Sequence, residues 1–251
     1  MEILTTQNLT RPEDGFGLQQ AVLEEVASGR RGPAALIWSS SPYVGVTRPE
    51  TRLGGFAQAA RSVRDLGIPV LVRNSGGGAV AANRGSLSFS LTFPVGDLRH
   101  GLYERYADGV GLLAAALRRV GVEAEGGPVE GEFCPGAYSV RSGGPRGVKH
   151  AGLAQRVTRR AARLEALVLV TETGPVRGAL ARFYGTLGLP FRPGCVADLP
   201  AGVPEVVSAL SEEVRARYGA ARDGEIWEKT LSRAWADRER WRYIPETGSS
   251  L

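Results

Sequence analysis

Cysteine is nearly missing from this chain of 251 residues: Cys134 and Cys195 are the only two. Two thiols make no disulfide framework, and a cytoplasmic setting is the default for such a sequence. Histidine is as scarce. His100 and His150 stand alone, and no Cys or His pair has ligand spacing, so no metal centre is expected. Lysine is rarer still in proportion: of 31 Lys plus Arg, only Lys149 and Lys229 are lysine. Aromatics make up 7% and do not interleave with the arginines, which argues against a stacking platform for nucleic acid. No apolar run is long enough for a membrane span. The N-terminal MEILTTQNLT lacks a basic stretch followed by an apolar one, so no secretory signal is read there. No G-x-S-x-G elbow announces a Ser-His-Asp triad.

What remains describes a soluble globular enzyme-sized chain. Hydrophobic content is 43% and charged content 23%, and the length suffices for a full core. There is no internal repeat and no Pro/Ser-rich linker. We read residues 1–251 as one catalytic domain with a helical C-terminal segment from about residue 200. The net charge is +5, with arginines scattered except in 156–163, a balance that suits an acidic protein partner drawn in by the field.

Short Val/Leu/Ile runs alternate irregularly with helical patterns. Strands are expected at 34–38 (AALIW), 68–73 (IPVLVR), 87–93 (LSFSLTF, alternating, one face buried) and 164–172 (LEALVLVTE). Helices are expected at 56–67 and 103–121, each closed by glycine, and in three stretches beyond residue 178. VEAEGG reads as a short strand and turn, residues 137–157 as a hairpin about a Ser-Gly-Gly-Pro turn, and ETGSSL as a frayed end. With such irregular alternation a doubly wound parallel sheet fits poorly. The pattern predicts an α+β fold: a mixed, mostly antiparallel sheet with flanking helices.

Three stretches could carry chemistry. In RNSGGGAVAANRG, Gly76, Gly77 and Gly78 follow Arg73 directly after a strand. A lone glycine triplet reads as a surface turn, but a turn needs only two residues, and missing Cβ atoms let backbone N–H groups approach a ligand. No Gly-Lys-Ser/Thr follows, so it is not a Walker loop, and its spacing is not a dinucleotide fingerprint. In GVKHAGLAQR, Lys149 persists against the arginine bias; it is either an edge-guarding lysine or a movable point charge. Strand alternation puts Lys149 and Ala151 on one face and leaves Gly152 open on the other. Lys229, in a polar helical stretch, reads as surface. In FCPGAYS, Cys134 lies in a loop fifteen residues before Lys149. A free cysteine is often an inert hydrophobe, the reading kept for Cys195, but a nearby ammonium would make Cys134 an acyl-transfer nucleophile.

In this order these motifs resemble the biotin/lipoate protein ligase catalytic-domain family. Its signature is an arginine, a glycine triplet and a later glycine, then K-x-x-G-x-A/S-Q-R. Here those are Arg73, Gly76 to Gly78 and Gly85, then Lys149, Gly152, Ala154, Gln155 and Arg156, in a span from about 30 to 190. FCPGAYSV is similar to the F-C-P-G-x-Y-D stretch of the octanoyl-GcvH:protein N-octanoyltransferases, with Ser139 in place of the aspartate. The resemblance implies an acyltransferase without cofactor. Cys134 would take an octanoyl or lipoyl group from a carrier, glycine cleavage H protein or acyl carrier protein, and pass it to a lysine of a lipoyl domain. Lys149 would stabilise the oxyanion and keep Cys134 ionised, both facing one apolar tunnel. Arg73, Gly76, Gly77, Gly78, Gly152 and Gln155 would bind substrate. The alternative is an ATP-dependent lipoate ligase. Against it stand the short chain beyond the helices and the absence of a carboxylate at Tyr138-Ser139. A non-enzymatic partner subunit is a third reading, opposed by the intact Cys134 and Lys149.

Overall fold

Two sheets divide the strands of the computed structural model, which describes residues 1–97 and 101–244. The elements run β1 (Glu2–Leu9), α1 (Pro12–Ala27), β2 (Ala34–Ser40), β3 (Tyr43–Thr47), α2 (Phe56–Arg64), β4 (Val70–Arg73), β5 (Val80–Ala82) and β6 (Ser86–Pro94). They continue with α3 (Leu102–Arg119), β7 (Glu125–Gly126), β8 (Ser139–Ser142), β9 (Val148–Val157), β10 (Ala161–Leu169), α4 (Thr173–Thr186), α5 (Val203–Tyr218), β11 (Arg222–Asp223) and α6 (Glu228–Ala236). The large sheet has the order β11-β1-β2-β6-β10-β9-β8-β7, and β4-β3-β5 form a small second sheet. Pairing is antiparallel except for β1 with β2 and β11, and β3 with β4. The α+β, mostly antiparallel expectation is met. The separate small sheet was not foreseen, and it carries Arg73.

β6 shows why periodicity alone misleads. Its alternation predicts one buried face, yet Ser86 to Thr92 are all buried. The strand lies in the interior of the sheet, and elements pack on both of its faces, α1 on one of them. Leu87, Phe89 and Leu91 pack with Leu113 and Leu117 of α3 and Leu210 of α5. The alternating serines turn the other way, where the Ser88 hydroxyl lies 3.4 Å from the Tyr43 phenol.

The first 33 residues carried no expectation, and they hold β1 and α1. The signal was present: Pro12 opens α1, with Glu13 and Asp14 in its first turn, a start that suits both the missing N–H and the helix dipole. β3 and β5 were missed as well. α4 starts earlier than its pattern implies because its cap comes from far along the chain. Asp198 accepts from the Thr173 N–H at 2.9 Å and hydroxyl at 2.6 Å, and these bonds hold its carboxyl below the usual value. ETGSSL and His100 lie outside the described residues.

The C-terminal helices pack on the body, α5 against α3 and α6 against α1. One buried cation ties this segment down. The Arg31 side chain is fully buried, pairs with Glu2 and with Glu25 (2.8 Å), donates to the Glu225 carbonyl at 3.2 Å and lies 3.7 Å over the Trp227 ring. Glu25 also accepts from Thr230 of α6 at 2.6 Å. Breaking a buried pair from one side costs about 3–5 kcal/mol. Arg31→Met should therefore lower the urea midpoint by that order of free energy, and an unchanged midpoint would refute this anchoring role.

Candidate active site

The glycine loop is held from both ends. Arg73, at the end of β4, is 7% exposed. It donates to the Ser75 hydroxyl at 2.9 Å and to the Gly78 carbonyl at 2.7 Å, so its guanidinium spans the loop. Glu165 of β10 lies 3.8 Å away, accepts from Ser75 and is itself held by Arg163. At the far end Glu50 accepts from the Ala79 N–H at 2.7 Å and the Thr47 N–H at 2.8 Å.

The cysteine loop meets this loop edge to edge. The Cys134 sulfur accepts from the Gly78 N–H at 3.1 Å and from Arg73 at 3.6 Å. Tyr184 of α4 bridges the two loops: its hydroxyl accepts from the Cys134 N–H at 2.7 Å and donates to the Ala79 carbonyl at 2.9 Å. Burial pushes that phenol above its ordinary pKa. Cys134 has φ 44°, a left-handed conformation rare for a residue with a Cβ, which directs its sulfur at the glycines. Gly77, at φ +99°, must be glycine: a Cβ there would lie 2.7 Å from the sulfur.

Lys149 does not face the sulfur. Its ammonium is fully buried and donates to the carbonyls of Phe133 (2.9 Å) and Cys134 (3.1 Å). It pairs with Glu132 at 3.1 Å. The expected single tunnel faced by both Lys149 and Cys134 is therefore not the observed arrangement. Lys149 lies under the cysteine loop, and Arg73 is the cation at the sulfur. A bulge puts Lys149 there. Val140 pairs with Ala151 but Arg141 pairs with Lys149, so His150 is the extra residue. This corrects the alternation: Lys149 shares a face with Gly152, not Ala151. A Cβ on Gly152 would lie 3.0 Å from the Lys149 Cε, so Gly152 makes room for the lysine stem.

Glu132 is a residue that motif spacing missed. It is 3% exposed and also accepts from the Ser139 hydroxyl at 2.8 Å and the Gly136 N–H at 3.2 Å. The sequence reading found no carboxylate at Tyr138-Ser139; the fold brings one there. Glu50 and Tyr184 were missed too, since neither lies in a recognisable motif. Gln155 braces α3, donating to the Leu102 carbonyl at 2.7 Å and accepting from Arg105 at 2.9 Å. Gly85 lies against the Thr171 backbone, where a Cβ would collide with the carbonyl oxygen. Cys195 is fully buried, and burial raises its thiol pKa. Lys229 is exposed. Among the described residues no three metal-type side chains gather.

These loops enclose a cavity of about 200 Å³ with Arg73, Gly76, Gly77, Cys134, Gly152 and Leu167 in its walls. Tyr138 closes one side, stacked on Tyr106 with ring centroids 3.9 Å apart. A narrower slot of about 50 Å³ shares Arg73, Gly152, Ala154 and Leu167 with it and runs between Phe16, Trp38 and Tyr43. A reactive carbonyl at the sulfur would thus have a narrow slot behind it whose walls are mainly apolar, with Gln19, Ser88 and Glu165 among them.

A left-handed cysteine beside a glycine triplet, an arginine spanning the triplet and a lysine strand beneath form one unit, and residues 11–222 match the Lipoyl protein ligase A/B catalytic domain. The chain belongs to that family. The match reaches back over α1, beyond the span from about 30 that the motifs suggested. Among curated relatives, an octanoyl-GcvH:protein N-octanoyltransferase of Geobacillus kaustophilus is 31% identical over 202 residues, covering 80% of this chain and 69% of the relative. One from Bacillus velezensis is 27% identical over 209 residues, covering 81% and 70%. The fold is like that of a lipoate-protein ligase A bound with ATP (TM-score 0.75, 18% identity, 95% and 94% covered). It is also like the putative lipoate protein ligase Ta0514 of Thermoplasma acidophilum with bound lipoic acid (TM-score 0.73, 18% identity, the same coverage).

Glu132→Ala should cost about 3–5 kcal/mol in urea unfolding, because it strands a buried ammonium. Ser139→Ala should cost about 1–3 kcal/mol, the loss of one donor to a buried carboxylate. Equal, small effects would refute the pair as the loop's anchor. His150 offers a pH test. Burial pushes it down to about 4. The unfolded chain binds the proton first, so the stability from neutral His150 is complete above pH ~6.5 and lost as pH falls towards 4. Across that window the wild type should lose more stability than His150→Gln.

Proposed function

We propose that the chain moves an octanoyl or lipoyl group between proteins through a thioester on Cys134. The observation that carries this is the sulfur itself: half-buried, at the cavity wall, accepting from the Gly78 N–H and from a guanidinium. The thiolate is the attacking species in acyl transfer, and both groups that reach this sulfur are donors. The relatives named as octanoyltransferases support the same reading.

The steps follow the geometry. Cys134 sulfur adds to the carbonyl of an acyl-lysine amide on a carrier, and the oxyanion forms beside the Arg73 guanidinium, which takes the role first expected of Lys149. The C–N bond breaks, the donor lysine leaves as an amine with a proton, and the thioester remains. An acceptor lysine amine attacks the thioester, loses a proton and leaves as an amide, returning the thiol. Lys149 positions the cysteine loop by its carbonyls, and Glu132 by the Gly136 N–H. The slot past Leu167 takes the chain, where each buried methylene contributes about 0.8 kcal/mol. The names of the relatives support glycine cleavage H protein as donor and a second protein as acceptor, which we take to be a lipoyl domain. Two free thiols suit the cytoplasm, and among the described residues no helix is long and apolar enough to cross a membrane.

The ATP-dependent ligase remains the second reading, since the fold is shared with a ligase that binds ATP. One experiment separates them. With octanoylated H protein and no ATP, the wild type should gain one octanoyl group by intact mass, released by hydroxylamine and absent in Cys134→Ser. No gain without ATP and free acid, or a hydroxylamine-stable gain in Cys134→Ser, would overturn the thioester.

A further inference from the structure

Across Gly76 from the cysteine cavity lies a second groove, of about 460 Å³, which shares Arg73 and Gly76 with the first. A Cβ on Gly76 would meet nothing within 4 Å, so the rim between the two is open. Three exposed arginines form its walls: Arg48 just after β3, Arg156 near the end of β9, and Arg240 in the turn before Trp241. No carboxylate lines it among the described residues.

Several arginines elsewhere on the surface are paired with carboxylates. Arg238 meets Asp14 at 2.5 Å, Arg242 meets Glu13 at 2.6 Å and Arg217 meets Asp108 at 2.5 Å. Arg48 and Arg156 have no ion-pair partner among the described residues, and Arg240 has only Asp237 at 3.7 Å, both sides about half exposed. Three like charges around one concave surface repel one another and focus a positive field at the mouth of the site.

We propose that this groove docks the acyl-carrying protein through its acidic surface. Carboxylates beside the acylated lysine seat against Arg48, Arg156 and Arg240, and the lysine arm crosses the open rim at Gly76 to reach Cys134. The inference rests on the acyl-transfer reading. An acidic protein fits better than a nucleotide, because the groove offers no carboxylate to hold a phosphate-bound cation, and its one aromatic, Trp241, is 2% exposed and packed against Phe16.

The test compares two donors for acylation of Cys134: octanoylated H protein, and the small thioester octanoyl-N-acetylcysteamine. In Arg48→Glu/Arg240→Glu the KM for the protein donor should rise tenfold or more, and the salt dependence of kcat/KM should flatten. The rate with the small thioester should stay at the wild-type value, and Arg48→Lys/Arg240→Lys should keep most of the protein-donor efficiency. Unchanged protein-donor kinetics, an equal loss with both donors, or ATP competing with the protein donor in the wild type but not in the charge-reversed variant would overturn the docking assignment. A wild type that forms no acyl-enzyme with either donor would instead overturn the acyl-transfer reading beneath it.

Discussion

Lys149 has no water to solvate it, and its three hydrogen-bonding partners are all on the segment that carries the cysteine. Its charge is met by Glu132, and its remaining donors by the carbonyls of residues 133 and 134. A buried ammonium is tolerable only in such company. The consequence is mechanical. A loop containing Pro135 and Gly136, with a left-handed residue at its turn, would otherwise have many conformations. Pinned from below by Lys149 and from the side by Tyr184, it presents one sulfur at one place.

The opposing loop is fixed by different means. Arg73 wraps the triplet from within, and Glu50 holds the strand that leaves it. The site is therefore a seam between two sheets: the large sheet supplies Lys149 and Gly152, the small one delivers Arg73 and the glycines. Neither sheet alone contains it. The Tyr184 hydroxyl, bonded to both loops, stitches the seam.

The sequence spelled out the parts of this site that have distinctive composition. A glycine triplet, a rare lysine and a loop cysteine are visible as departures from background, and the α+β class followed from irregular alternation. What it hid are residues whose role depends on distant packing. Glu132, Glu50 and Tyr184 are ordinary residue types in unremarkable places, and become informative only when the chain folds them against positions 139, 79 and 134. The strand face first given to Lys149 was wrong for a local reason. Strict alternation cannot foresee a bulge, and one extra residue at His150 was enough to exchange its neighbours.

That bulge also fixes what kind of change the hairpin can absorb. Between Lys149 and Gly152 the spacing, more than the identity of His150 or Ala151, sets which way the ammonium points. Deleting one residue there would restore regular pairing and swing the lysine to the opposite side of the sheet, leaving Glu132 buried without its cation and the cysteine loop without its floor. Variation in this segment is thus constrained in length before it is constrained in composition.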